Sequence, residues 1–110
     1  MSKRKQDLYI TDIVESAKKI FKYVNGLTFE EFKKDSRTFD AVIRNLEVMG
    51  EAAYNMPDVL KNQYPGIPWA DISDMRNKLI HEYFGVDPSI IWKTIQEDLP
   101  VLVKRIEEIV

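Results

Sequence analysis

The sequence predicts an all-α fold, an antiparallel helical bundle of four to five main helices in a single domain over residues 1–110. Apolar residues recur every three to four positions over long stretches, as on one face of a helix, and no long stretch shows the two-residue alternation of a half-buried strand. Glycines and prolines fall between these stretches, where helices begin and end. A length of 110 residues is typical of one domain with one core.

The first predicted helix runs from Asp7 to Val24, and Asn25-Gly26 ends it with a left-handed stop. A short second helix follows Thr28, which is expected to cap it together with Glu31, and ends near Asp35. The residues expected to point inward from the first helix are Leu8, Ile13, Val14, Ala17, Ile20, Phe21 and Val24.

A longer third helix is predicted from about Thr38 to Asn55, followed by one short turn of helix from Pro57 to Leu60. Gly50 costs about 1 kcal/mol relative to alanine inside a helix. Together with Ala52 and Ala53, it therefore indicates that another backbone passes close by, in the same chain or in a second copy.

The next helix is predicted from Trp69 to Phe84, with Gly85 ending it. Asp87-Pro88 then supplies an N-cap followed by a proline at the first helical position. An apolar stripe continues to the end of the chain and is interrupted by Pro100. We expect a kink there, or a helix restart capped by Asp98, because proline removes an amide donor and clashes with the preceding turn.

Composition excludes several kinds of site. The absence of cysteine rules out disulfides, thiol nucleophiles and iron–sulfur clusters, and one histidine argues against a zinc site. A net charge of −2 means that any contact with RNA or DNA must come from a local patch. No apolar run approaches the ~20 residues that span a bilayer, so no membrane association and a cytoplasmic location are expected.

The only histidine lies in the segment MRNKLIHEYFG, residues 75–85. At about 100° per residue, Arg76 falls on the shoulder of the core-facing stripe, where a guanidinium must reach solvent or pair with an anion. His81 lies about 140° around the helix from Arg76 and about 7.5 Å further along it. Asn77 is four residues before His81 and shares its face. We therefore expect Asn77 and His81 to look outward while Arg76 reaches around the rim.

Spacing alone leaves a structural interpretation open. Arg76 could form an ion pair with Glu47 or Glu51 on a neighbouring helix, His81 could be an ordinary surface residue, and Tyr83 could belong to the core. No metal is expected at the two glutamates, because histidine ligands are lacking.

A family resemblance favours a functional interpretation. The segment RNKLIHEY, residues 76–83, fits the pattern of Arg, four residues, His, any residue, Tyr that marks the HEPN superfamily. Four segments resemble the HepT-type toxin family in order and spacing, over nearly the whole chain: MGEAA at 49–53, YPGIPWADI at 64–72, MRNKLIHEYFGVD at 75–87 and IIW at 90–92.

The resemblance implies a HEPN-like, homodimeric, metal-independent endoribonuclease without a cofactor, in which two copies of the motif helix share one cleft. It implies that Arg76 holds the scissile phosphate, that His81 transfers protons during attack by the ribose 2′-OH, and that Asn77 orients His81 or a phosphate oxygen. The expected partners are an RNA such as a tRNA or mRNA and a cognate MNT-type nucleotidyltransferase antitoxin that modifies Tyr83 with AMP. The alternative is a non-catalytic subunit that presents a nucleotide or substrate to the transferase.

Overall fold

The structure, a computed structural model, describes residues 3–82 and 86–109, and it describes side chains for residues 8–77, 79 and 86–108. Within these ranges the chain is helical and contains no strand, which confirms the predicted fold class. The helices are α1 (Lys3–Val24), α2 (Phe29–Lys34), α3 (Ser36–Asn55), α4 (Asp58–Gln63), α5 (Trp69–Glu82), α6 (Pro88–Lys93) and α7 (Leu99–Ile109), with a π-helical turn (Thr94–Asp98) between α6 and α7.

The boundaries of α2 and α3 follow from side-chain caps. The backbone N–H of Glu31 donates to Oγ1 of Thr28 at 3.2 Å, and the backbone N–H of Thr28 donates to Oε1 of Glu31 at 3.0 Å, which confirms the predicted capping box. Asp35 accepts from the backbone N–H of Thr38 at 3.1 Å, so α3 begins at Ser36, slightly earlier than predicted. Hydrogen bonds from the side chain and then the backbone of Thr38 lower the pKa of Asp35.

Helix α3 lies at the centre of the bundle and packs against both α1 and α5. Helix α7 packs back onto α1, and α2 contacts α3 and α6. Trp69 at the start of α5 is buried, and its indole Nε1 donates to the carbonyl of Tyr64 at 3.0 Å, which fixes the loop before α5. The fully buried core includes Ile13, Ala17, Ile20, Phe32, Val42, Leu46, Met49, Ala53 and Ile106.

The expectation that Leu8 points inward is wrong, because its side chain is 54% exposed. Leu8 lies about 140° around α1 from the buried Ile13. Tyr9 and Ile10 lie within about 60° of Ile13's direction and pack against the core instead. The apolar stripe of α1 therefore continues toward its N-terminal end through these two residues.

Of the two alternatives expected at Pro100, a kink or a restart capped by Asp98, the restart does not occur. Asp98 lies inside the π-helical turn, and Leu99 keeps right-handed helical angles of φ −63° and ψ −42°. Pro100 cannot donate a backbone hydrogen bond, and its ring would crowd the carbonyl four residues earlier in a regular α-helix. The wider turn immediately before it relieves this conflict, so the helix continues without a break.

Gly50 is the point of closest approach between α3 and α5, which confirms that another backbone passes close and identifies it as part of the same chain. A Cβ placed on Gly50 would lie 3.0 Å from the carbonyl oxygen of Ile72 and 3.1 Å from Cα of Arg76, and would also collide with Cβ of Arg76. Only glycine fits this contact without a shift of backbone.

Gly50→Ala is expected to destabilise the protein by about 1 kcal/mol, because an overpacking penalty of about 1–3 kcal/mol outweighs the gain in helix propensity of about 1 kcal/mol. Chemical denaturation measures the free energy of unfolding. Gly66→Ala is the matched control, since no atom lies within 4 Å of a Cβ placed there. An alanine variant at residue 50 that is as stable as the parent would contradict the close contact.

Candidate functional site

Helix α5 carries the motif residues. The backbones of Arg76, Asn77 and His81 lie on it, and the predicted helix is confirmed as far as Glu82. The side chain of His81 and the whole of Tyr83 lie outside the described residues, as does the predicted end of the helix at Gly85. The described geometry of the site is therefore that of Arg76 and its neighbours.

Arg76 pairs with an acidic residue of α3. Its Nε lies 2.5 Å from Oε2 of Glu51, and the Arg76 side chain is 25% exposed while that of Glu51 is 54% exposed. Nε is shielded from solvent and makes no aligned hydrogen bond, so the contact is primarily ionic. Of the two acids considered from the sequence, Glu51 and not Glu47 forms this pair among the described side chains.

Two further side chains of α3 complete the surroundings of this ion pair. The guanidinium carbon of Arg76 lies 5.2 Å from the ring centroid of Tyr54, which is within the range of a cation–π contact. Nδ2 of Asn55 donates to Oε1 of Glu51 at 3.3 Å. The Glu51 carboxylate therefore holds Asn55 with one oxygen and Arg76 with the other.

Asn77 contacts the tip of the guanidinium and is exposed, as predicted. Nη1 of Arg76 donates to Oδ1 of Asn77 at 3.5 Å, the long limit of a hydrogen bond. A planar guanidinium has five N–H donors, and pairing at Nε leaves those at its tip. The tip, beside Asn77, is the part of Arg76 that suits a phosphate.

The sequence did not identify Tyr54 and Asn55. They lie three and four residues after Glu51, so they share its face of α3. Gly50 gives a signal for these two residues, because the close approach predicted at residue 50 implies that the exposed residues just after it on α3 lie beside the approaching helix. What the sequence lacked was the identity of that helix.

A groove between α5 and the α6–α7 region has Met75 and Leu79 in its apolar lining. It also has several carboxylates, among them Asp71, Asp74 and Glu97, and one arginine, Arg105. Such an acidic surface repels a polyanion. Arg76 lies about 160° around α5 from Asp74 and so away from this groove, whereas Asn77 and His81 lie about 60° and about 20° from Asp74 in direction.

Two further findings concern the described part of the chain. It contains no group of three or more His, Cys, Asp or Glu side chains arranged to hold a metal ion. None of the helices described here combines the length and the apolar character needed to cross a bilayer.

Fold and site together define an all-α protein in which an arginine of α5 pairs with a glutamate of α3 at the surface. The family model for ribonuclease HepT-like proteins matches residues 13–109. The chain belongs to the HepT-like ribonuclease family of the HEPN superfamily, and its enzyme class is that of an endoribonuclease.

Relatives agree with the family match. A protein of Methanocaldococcus jannaschii, provisionally named as an RNase, is 44% identical over 110 residues, covering 100% of this chain and 91% of its own length. A protein of Thermococcus cleftensis, provisionally named ribonuclease HepT, is 44% identical over 107 residues, covering 97% of both chains. No solved structure matches the chain.

Proposed function

We propose that the chain is the toxin of a toxin–antitoxin pair, a metal-independent endoribonuclease that acts in the cytoplasm as a homodimer. The observation that carries this proposal is the placement of Arg76, whose Nε is held by Glu51 while its tip lies beside the exposed Asn77. Family membership makes RNA the substrate class. The chain's formal charge of −2 means that a local cation must recognise it.

The proposed reaction is attack of the ribose 2′-OH on the adjacent phosphate. His81 accepts the 2′-OH proton or returns a proton to the departing 5′-oxygen, a task suited to imidazole because its unperturbed pKa is about 6.5. Arg76 stabilises the charge that develops on the phosphate oxygens, and Asn77 orients His81 or one of these oxygens. The products are a 2′,3′-cyclic phosphate and a 5′-OH.

A homodimer would bring these groups together. Arg76 and His81 are separated by about 140° around α5, so a single helix does not aim both at one phosphate. Two copies related by a twofold axis would supply an arginine and a histidine from each chain to one cleft. A monomer held apart by interface substitutions would then lose most of its cleavage activity.

The proposed off switch is modification of Tyr83 with AMP by a cognate MNT-type nucleotidyltransferase antitoxin. Tyr83 lies seven residues after Arg76 in the sequence. A bulky anionic group in this part of the chain would compete for Arg76 and repel the RNA backbone. Mass spectrometry of the protein treated with the transferase checks the position, and labelling of a different residue would contradict it.

The test of the function is cleavage of defined tRNA and mRNA substrates in the presence of EDTA. We expect products ending in a 2′,3′-cyclic phosphate and a 5′-OH, identified by mass spectrometry. The matched substrate carries a single 2′-deoxy nucleotide on the 5′ side of the mapped cut, and it should stay intact at that position because it lacks the attacking oxygen. Cleavage that survives this change, or that requires a divalent metal, would overturn the mechanism.

A further inference from the structure

Glu51 lies on α3 at the point where this helix meets α5. It follows Gly50, where α3 and α5 make their closest approach, and its carboxylate is held by Asn55 through Oε1 while Oε2 contacts Nε of Arg76. Both carboxylate oxygens are therefore engaged. The side chain is nevertheless 54% exposed, so it is not part of the core.

We propose that Glu51 is a positioning residue for RNA cleavage, which acts by fixing Nε of Arg76 so that the two terminal nitrogens of the guanidinium point toward the scissile phosphate. The inference rests on the proposed function, because it assigns Glu51 a part in the same reaction. The inference goes beyond the proposed function by adding a residue of α3 to a site otherwise formed by α5.

The energetics favour positioning over a purely structural role. An ion pair between partly exposed side chains contributes little to folding stability, since water screens it and two long side chains lose freedom. The same loss of freedom is useful before phosphate binding, because an arginine that is already ordered does not have to be ordered by the substrate. The Tyr54 ring, 5.2 Å from the guanidinium carbon, restricts the arginine from a second direction.

The edge of the guanidinium that Glu51 uses also matters. Its carboxylate contacts Nε, whereas the tip of the guanidinium lies toward Asn77. A phosphate can therefore bind the two terminal nitrogens without displacing the glutamate. If Glu51 instead competed with RNA for Arg76, its removal would increase cleavage.

The test compares Glu51→Gln with Glu47→Gln. Both variants lose one carboxylate from α3, and residue 47 lies one helical turn earlier but is not the ion-pair partner of Arg76. We expect Glu51→Gln to lower kcat for RNA cleavage by about 10- to 100-fold, because small displacements of a positioned group have effects of this size. We expect KM to change little and Glu47→Gln to behave like the parent.

A double-mutant cycle separates positioning from other effects. In an Arg76→Lys background there is no Nε to hold, so Glu51→Gln should cause little further loss of kcat. An equal loss in both backgrounds would show that Glu51 acts independently of Arg76 and would overturn the proposal. So would unchanged or increased kcat in the single variant.

A second measurement does not depend on cleavage. In NMR spectra of the unmodified protein, the Nε–H signal of Arg76 should exchange slowly with water, because this nitrogen is shielded. It should exchange much faster in Glu51→Gln and not in Glu47→Gln. If the parent cleaves no RNA, the proposed function fails; if the parent cleaves and the Nε–H signal is the same in all three proteins, only the positioning role fails.

Discussion

Replacing His81 with alanine is expected to lower RNA cleavage by about 10²- to 10⁴-fold, the usual contribution of a general acid or base. An alanine in place of imidazole can neither accept the 2′-OH proton nor return one to the 5′-oxygen. The measurement is kcat/KM on a defined RNA with EDTA present, together with the growth of cells that express each protein.

The matched control is Asp74→Ala, seven residues earlier on α5 and about 20° away in direction around the helix, where the side chain is exposed. It should cleave at nearly the parental rate. A His81→Ala variant that retains full cleavage would remove the histidine from the mechanism. If neither the parent nor His81→Ala cleaves RNA but both bind the transferase and nucleotide, the chain is the non-catalytic subunit that the resemblance also allows.

Arg76→Ala is expected to lower kcat for RNA cleavage by about 10²- to 10³-fold. A loss of this size is typical when a group that stabilises developing charge is removed. Folding should be little affected, by less than about 1 kcal/mol, because the Glu51 carboxylate left behind is partly solvated. Alanine also retains the Cβ that packs against Gly50. Single-turnover kinetics and thermal unfolding measure the two effects separately.

Arg44→Ala controls for the loss of one positive charge, since Arg44 is exposed on α3 and is not paired with Glu51. If Arg76 binds a phosphate directly, its removal should also reduce the dependence of log KM on log salt concentration by about 0.7, the value for one phosphate contact on a single strand. Equal losses of activity in the two variants would mean that net charge alone explains the effect.

The helices of this fold could be predicted because their signals are local. The capping box of Thr28 and Glu31 and the N-cap at Asp87 are visible as residue types at fixed spacings, and both occur in the structure. The prediction for Leu8 is wrong because an apolar residue near a helix end fits more than one stripe. The sequence leaves the backbone at Pro100 open because several adjustments accommodate a proline, and it does not distinguish a restart from a π-helical turn.

The site was predictable to a smaller extent. That Arg76 needs an anionic partner followed from its position on the helix, but the choice between Glu47 and Glu51 did not. These glutamates lie four residues apart on one face of α3, so only the axial offset between α3 and α5 selects one of them. The contact of Gly50 with Arg76 sets that offset, and it belongs to tertiary packing.

The roles of His81 and Tyr83 have a different basis. Spacing left each with an ordinary structural explanation, and the family resemblance supplied the functional one. Family membership is now shown, whereas both side chains lie outside the described part of the chain. Their roles therefore stay predictions that the variants above and mass spectrometry decide.

The contact between Gly50 and the backbone of Arg76 limits how this enzyme can be silenced. Sliding or tilting α5 to withdraw the arginine would open a gap in the close packing against α3. An inhibitor or a covalent modification is therefore not expected to act by moving α5 relative to α3. Covering or neutralising the arginine from outside would leave this packing unchanged, so we expect regulation of the proposed activity to act at the surface.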